Sequence, residues 1–325
     1  MPILTLSAIG GTVEHMTADT HWTPDRIPDL TGRTFVVTGA TSGLGLSTGR
    51  ELAARGARLV LAVRDESKAR RIFGAAVEIR RLDLADLGSV REFAAGLHED
   101  HHHLDVLINN AGTMATPHTL SPQGHELQFA TNHLGHFALT GLLLDLLLAG
   151  TDPRVVTVTS VNHRRARLPF PAPARYSPMR AYNTSKLANA LFGYELHRRL
   201  TAAGSQLRSI LAHPGYTATN LKTSATTPIW RFLLGGIGNR LLAQPVEQGA
   251  WPQLFAATAT EAHSGHLIAP HGPGELRGYP TLRKLSPAAT RVDNGHELWT
   301  LSERTTGVRF GQLIAQAEAT AQETE

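Results

Sequence analysis

The sequence predicts an α/β fold: a doubly wound parallel sheet of about seven strands with helices on both faces. Three observations predict it. Short β-branched, apolar runs alternate with helical stretches, and those runs are apolar on both sides, as strands covered by two helical layers must be. A glycine-rich turn, Thr38-Gly39-Ala40-Thr41-Ser42-Gly43-Leu44-Gly45, stands directly between the first such run and the first helix.

Each element follows in order. Arg33–Val37 is the first strand, and Leu44–Arg55 is a helix that stops at Gly56. Arg58–Val63 is a second buried strand and Val77–Leu82 a third, followed by a helix from Ser89 to about Leu97. Leu104–Ile108 is the fourth strand, and one long helix runs from about Glu126 to Leu148. Val155–Thr159 is the fifth strand, Ala181–Leu200 a helix, Leu207–Ala212 the sixth strand and His266–Ile268 a short seventh. Glu297–Thr306 reads as a closing helix. Right-handed connections then put a ligand crevice at the C-terminal ends of the strands. Residues 1–28 are expected to be a partly flexible N-terminal extension, mildly apolar over 1–11 and a polar lead-in over 17–28, with Met16 an alternative start. Residues 29–270 are expected to form one domain, and 271–325 a C-terminal extension packed on it.

Composition excludes several functions. The 325 residues are 42% hydrophobic and 18% charged, enough to bury a sizeable core, and there is no internal repeat. No cysteine is present, so disulfides, thiolate catalysis and Cys-ligated metal are ruled out. A net charge of +4 with scattered arginines fits solubility and anion attraction, not nucleic-acid binding. The longest apolar run, Leu142–Leu148, carries Asp145 and is far shorter than the roughly 18–20 residues a membrane span needs. The N-terminus lacks the basic region of a signal peptide, and a cytoplasmic location is expected. His101-His102-His103 has no carboxylate or Cys set beside it, so no metal site is expected.

Two segments carry chemistry. Gly39, Gly43 and Gly45 leave room for a pyrophosphate beside the free N–H groups of a helix start, where the helix dipole is positive. In Tyr182-Asn183-Thr184-Ser185-Lys186, the Tyr and Lys lie four apart and share one helix face. An ammonium beside a phenol favours the phenolate, so Lys186 is expected to lower the Tyr182 pKa toward working pH and make it a usable proton donor and acceptor.

Together these segments resemble the short-chain dehydrogenase/reductase superfamily, in the branch with TGxxxGxG and YxxxK. The phrasing across residues 29–268 is most similar to its retinol-dehydrogenase-like subgroup and bacterial relatives. The resemblance implies a Rossmann-type domain that transfers hydride between a nicotinamide dinucleotide and an alcohol or carbonyl. It implies a tetrad in which Ser160 donates a hydrogen bond to the substrate oxygen and Tyr182 is the acid or base. In it Lys186 also meets the nicotinamide ribose, and Asn132 holds a water linking Lys186 to solvent. Thr159 is the neighbour most easily confused with Ser160, but strand alternation sends the two to opposite sides.

The resemblance further implies cofactor contacts at Gly39, Ser42, Gly43, Leu44 and Gly45, and at the adenine-contacting pair Asp83 and Leu84. It adds Asn110, Ala111 and Gly112, with Asn109 tying neighbouring strands, and Pro214, Gly215 and Thr217 or Thr219 at the nicotinamide. Arg64, just past the second strand, offers a fork for a 2′-phosphate, with Lys68 and Ser42 as helpers, so NADP(H) is favoured over NAD(H). Asp65 keeps the alternative open, because one residue of shift in the turn would bring it to the ribose.

His163 to Met179 lengthens the gap before Tyr182 and is expected to form a loop over the site rim. His133, His136 and His163 are read as packing groups. Residues 221–245, with Ile229-Trp230-Arg231-Phe232 and glycine hinges, read as a lid for a small hydrophobic alcohol or carbonyl. The same segment suits docking on a membrane surface or a second subunit, and a homodimer through the helices at 126–148 and 181–200 stays open. Two other functions remain in view: a non-catalytic dinucleotide sensor, disfavoured because the tetrad is present, and a light-driven pigment-precursor reductase, disfavoured by the missing cysteine.

Overall fold

The computed structural model describes residues 21–166, 176–217 and 243–311. Its strands are runs buried on both sides. In β1 (Thr34–Thr38), Val36 packs with Val60, Leu107 and Val155 on one face of the sheet. Phe35 and Val37 pack with Leu59, Leu61, Val106 and Ile108 on the other. β2 (Arg58–Val63), β3 (Glu78–Arg81), β4 (Val106–Asn109), β5 (Arg154–Val158), β6 (Arg208–Ala212) and β7 (Leu267–Pro270) are joined to β1 by parallel pairing. An edge strand, β8 (Pro280–Arg283), pairs antiparallel with β7. The order is β3-β2-β1-β4-β5-β6-β7-β8, so the sheet has eight strands where about seven were expected. β8 escapes a reading of the sequence because it is a short, largely half-exposed run with no apolar signature.

One face is covered by α1 (Gly43–Ala54), α2 (Glu66–Phe73) and α8 (Val246–Thr258). The other carries α3 (Leu87–Asp100), α4 (Leu127–Phe129), α5 (Gly135–Leu142), α6 (Leu144–Leu148), α7 (Pro178–Ala202), α9 (Pro287–Thr290) and α10 (Val292–Thr306). The helix expected over 126–148 is in fact interrupted. Glu126 caps its start by accepting from Gln128 and Phe129 N–H groups at 3.0 and 2.8 Å. A π-helical turn, Ala130–Leu134, then separates α4 from α5, and Leu143 (φ −102, ψ 9) separates α5 from α6.

The two ends of the described chain are built into the core. Trp22, in the lead-in read as polar, is buried edge-on against Phe255 at 5.4 Å, and Ile27 and Leu30 are buried beside it. On the opposite face Trp299 of α10 packs against Phe137 at 5.2 Å and Phe310 at 4.6 Å. The Arg199 guanidinium from α7 lies 4.2 Å over the Trp299 ring. No helix among the described residues is long and apolar enough to cross a membrane.

At the N-terminal ends of β5 and β6 one carboxylate organises three guanidiniums. Arg154 is 1% exposed and donates to the Ala256 and Ala259 carbonyls at 3.1 and 2.8 Å, closing the C-terminal end of α8. It also donates to Asp152 Oδ2 at 2.8 Å, while Arg33 lies 3.3 Å from the same oxygen and Arg208 bonds Oδ1. Burial draws the Arg154 pKa down to about 10. Asp152→Ala leaves a buried guanidinium without its counter-charge. Since Asp152 is itself half-exposed, the expected cost is about 2 kcal/mol, read as a lower urea midpoint with an unchanged slope. An unaltered midpoint would show that the three arginines need no carboxylate.

Candidate active site

The glycine turn is a place of close backbone approach. Gly39 (φ +71) and Gly43 (φ +54) take conformations that L side chains resist. A Cβ at Gly39 would stand 2.9 Å from Ala111 Cβ, and one at Gly45 2.5 Å from Asn110 Nδ2, so the loops after β1 and β4 lie in contact. Ser42 is the residue before α1, its hydroxyl does not cap the helix, and the first N–H groups of α1 are left for another acceptor. A Cβ on Gly249 would overlap Thr217 Oγ1 and lie 3.0 Å from Leu44 Cδ2, which brings the loop after β6 to the first turn of α1.

Thr38 holds this junction together. Its hydroxyl oxygen accepts from the Asn110 and Ala111 N–H groups, both at 3.0 Å, and lies 3.0 Å from His136 Nε2. His136 Nδ1 is 3.0 Å from the Asn132 carbonyl, so a neutral ring protonated on Nδ1 satisfies both contacts. Burial draws its pKa down to about 4, which fits its reading as a packing and hydrogen-bonding group. Asn109 was expected to tie neighbouring strands. Its amide instead donates to Thr140 of α5 at 3.0 Å, and the neighbouring strand is tied by Asn110, whose Nδ2 donates to the Thr38 carbonyl at 2.7 Å.

At the end of β2, Arg64 is exposed and makes no ion pair among the described residues. Asp65, its competitor for the same role, is occupied. It is the N-cap of α2, accepting from Lys68 N at 2.9 Å and Ser67 Oγ at 2.7 Å, and these bonds hold its carboxyl below the usual range. Asp83 accepts from Ala85 N at 3.0 Å, and Leu84 is buried with its carbonyl packed against Gly135.

The four residues expected to act together do meet. Ser160 lies beside Tyr182, close enough to favour its phenolate, while Thr159, on the other side, is buried and its hydroxyl donates to the Lys186 carbonyl at 2.7 Å. Lys186 Nζ donates to the Val158 carbonyl at 3.2 Å and lies 5.9 Å from the centre of the Tyr182 ring. Gly112 stands between Lys186 and Asn132: a Cβ there would be 3.5 Å from Nζ and 3.2 Å from Asn132 Oδ1. The Asn132 side chain is a strut, accepting from Thr113 N at 2.8 Å and donating to Thr113 O and Ser185 Oγ at 2.9 Å each. Its carbonyl lies in the π turn, with the His136 ring as the donor described above.

Electrostatics differ from expectation in one respect. Burial pushes the Tyr182 phenol up from its ordinary value, with Ser160 beside it pulling it partly back, and Lys186 is not what governs it. Lys186 is itself drawn down to about 8 by burial. The reason is that both groups leave water together, so desolvation outweighs an ammonium several ångströms from the ring.

Pro214, Gly215 and Thr217 line the loop after β6, with Thr217 Oγ1 donating to the Pro214 carbonyl at 3.0 Å. Thr219, most of the lid at 221–245 and the middle of the loop at 163–179 lie outside the described residues. Two groups at the site were not singled out in the sequence. Tyr176 bonds Thr116 O at 2.9 Å and Glu126 Oε1 at 3.1 Å, and Gln128 donates to it at 2.9 Å. Beside Pro214, His213 is buried and bonds Glu275 at 2.9 Å. Position next to the Pro-Gly turn was the available signal for His213; Glu275 had none.

Comparison with known proteins agrees with this geometry. The short chain dehydrogenase family model matches residues 33–229. Human retinol dehydrogenase 13 is 37% identical over 304 residues, covering 86% of this chain and 86% of that protein. Human retinol dehydrogenase 11 is 41% identical over 239 residues, covering 70% and 73%. An uncharacterised protein from Mycobacterium paratuberculosis superposes with a TM-score of 0.75 at 43% identity, covering 90% of this chain and 99% of the other.

The buried ammonium has a cost that can be measured. Below about pH 8 folded and unfolded chains both carry the charge, and the full penalty of burying it opposes folding. Between about 8 and 10.4 the unfolded chain binds more protons, so stability rises with pH, and above that the penalty is gone. Lys186→Met is therefore expected to be more stable than the parent at pH 7, by up to about 3 kcal/mol, with the gap closing by pH 10. Calorimetric melting across pH 6.5–10.5 decides it; a destabilised variant at pH 7 would mean the ammonium earns more from its partners than burial takes.

Proposed function

The chain belongs to the short-chain dehydrogenase/reductase family, in its retinol-dehydrogenase-like subgroup, and from that membership we propose an NADP(H)-dependent oxidoreductase acting on hydrophobic alcohols and their carbonyls. The observation that carries the reading is the meeting of Ser160, Tyr182, Lys186 and Asn132 beside Gly112, on the loop that also touches the glycine turn. The residues suit a dinucleotide. Uncapped N–H groups at the start of α1 offer donors for a pyrophosphate, and the glycines remove side chains from its approach. Arg64, at the end of β2, makes no ion pair among the described residues, while Asp65 is held as a helix cap, and this favours a 2′-phosphate over a bare ribose.

When bound, the dinucleotide supplies the hydride donor or acceptor. The protein's own part is proton handling. Ser160 donates a hydrogen bond to the substrate oxygen, where negative charge grows as a carbonyl is reduced. Tyr182 gives its phenolic proton to that oxygen in reduction and takes the proton from the alcohol in oxidation. A phenol held above its ordinary pKa stays protonated over the neutral range, which suits the acid role. Lys186 keeps a positive charge close enough to steady a transient phenolate, and Asn132 fixes the loop that borders it. The retinol dehydrogenases among the relatives make lipophilic primary alcohols and their aldehydes the first substrates to try.

Fluorescence titration with NADPH and NADH tests the cofactor. The parent is expected to prefer NADPH, and Arg64→Glu to weaken it about a hundredfold with little effect on NADH. Equal binding of both, unaltered by the substitution, would remove Arg64 from the site. With retinal and octanal as probes, Tyr182→Phe is expected to lower kcat about a thousandfold while NADPH still binds. A variant that turns over normally would sink the assignment of Tyr182.

A further inference from the structure

Loops leave the C-terminal ends of β5, β6 and β7, and one carboxylate joins all three. Glu275 follows Gly274 in the turn after β7 and has φ +58. Among the described residues it shares a positive φ, for a non-glycine, only with Ala115. A residue with a Cβ stays in that region only where its surroundings fix it. Here Glu275 Oε1 accepts from Arg164 Nη2 at 2.9 Å, and Oε2 from His213 Nε2 at 2.9 Å.

Each donor leads to a part of the site. His213 Nδ1 accepts from Gly215 N at 2.9 Å, so the ring proton is on Nε2 and the ring transmits the position of the carboxylate to the Pro214-Gly215 turn. The Leu276 carbonyl accepts from Tyr216 N at 2.7 Å, and a Cβ on Gly215 would overlap that carbonyl. On the other side, Arg164 also donates to Lys284 O at 2.7 Å. In the same 3-10 turn (Val161–Arg165), His163 Nδ1 donates to the Ser160 carbonyl at 2.7 Å, and its Nε2 accepts from Ser286 N at 3.4 Å.

We propose that Glu275 is a positioning residue of the active site, its carboxylate locking the loops after β5, β6 and β7 into one wall and thereby setting the Pro214-Gly215-Tyr216 turn against the Ser160 loop. Only a group with two acceptors at one point can hold donors from two loops. An amide in its place keeps one acceptor, which the fully buried His213 N–H claims, and turns its own N–H toward the Arg164 guanidinium, so the tie to the loop after β5 is lost. The left-handed backbone at 275 is the conformation that delivers the carboxylate to both donors. The effect on turnover rests on the oxidoreductase reading above; the locking itself does not.

The test uses the full-length protein and Glu275→Gln, which leaves the backbone requirement unchanged. Hydrogen exchange read by mass spectrometry is expected to speed up about tenfold in residues 213–217 and 160–165, and not in β1–β4. In NADPH-driven reduction of octanal, kcat is expected to fall about a hundredfold, as a small misplacement of reacting groups does, with the NADPH dissociation constant within threefold of the parent. Unchanged exchange overturns the lock. Faster exchange with kcat intact, or a uniform rise across the sheet, overturns the positioning role and leaves Glu275 a structural residue. If Glu275→Gln does not fold, Arg164→Met, which removes the exposed arm alone, answers by the same readouts with smaller effects in the same direction. A parent protein inert toward octanal but with the exchange pattern intact would count against the substrate class and not against the lock.

Discussion

Lys186 carries its ammonium out of water, and much of the surrounding architecture is arranged by that fact. Its ammonium lies 5.9 Å from the centre of the Tyr182 ring and donates to the Val158 carbonyl at the end of β5, and burial draws its pKa to about 8. A Cβ at Gly112 would crowd Asn132 Oδ1 at 3.2 Å and touch the ammonium at 3.5 Å, so glycine gives the easiest fit between them. The strut that holds Gly112 in place is the Asn132 amide, which clamps Thr113 from both sides. A regular α-helix over 126–148 would keep each carbonyl in its ladder; the π turn at 130–134 breaks that regularity where Asn132 sits. A charge that destabilises the fold is thus surrounded by groups with no freedom to retreat from it.

The molecule separates its polar work between the two ends of the sheet. At the N-terminal ends of the strands, Asp152 pairs with Arg33, Arg154 and Arg208, and Arg154 closes the end of α8. At the C-terminal ends, polar groups are held by backbone atoms and by one another, and Ser160, Tyr182, Arg64 and the first N–H groups of α1 lie at that same end. Strand ends of the second kind are where parallel sheets place ligands.

Much of this was legible in the sequence because it is local. The glycine turn, the Tyr-Lys spacing and the strand ending in Ser160 depend on neighbours within a few positions, and the structure sets them at one site. What was missed depends on distance along the chain. Asn109 and Asn110 look alike in a motif, and only the approach of α5 decides that the first serves Thr140 and the second Thr38. The interruption of the 126–148 helix depends on its packing, β8 exists because β7 gives it an edge, and His213 meets Glu275 from 62 positions away. The influence of Lys186 on Tyr182 was overstated for the same reason: spacing puts two groups on one helix face but says nothing of how much water remains.

The helix bearing Tyr182 and Lys186 rests on Trp299 and Phe310 through Phe192 and Arg199. Those two aromatics are among the last described residues of the chain, and β8 and α10 are formed entirely from residues beyond 279. During synthesis from the N-terminus, β1 to β7 can pair before residues 280–310 exist, and through that interval the back of the helix bearing Tyr182 and Lys186 lacks Trp299 and Phe310. Until those two aromatics follow, Phe192 and the stem of Arg199 form apolar surface without its final cover.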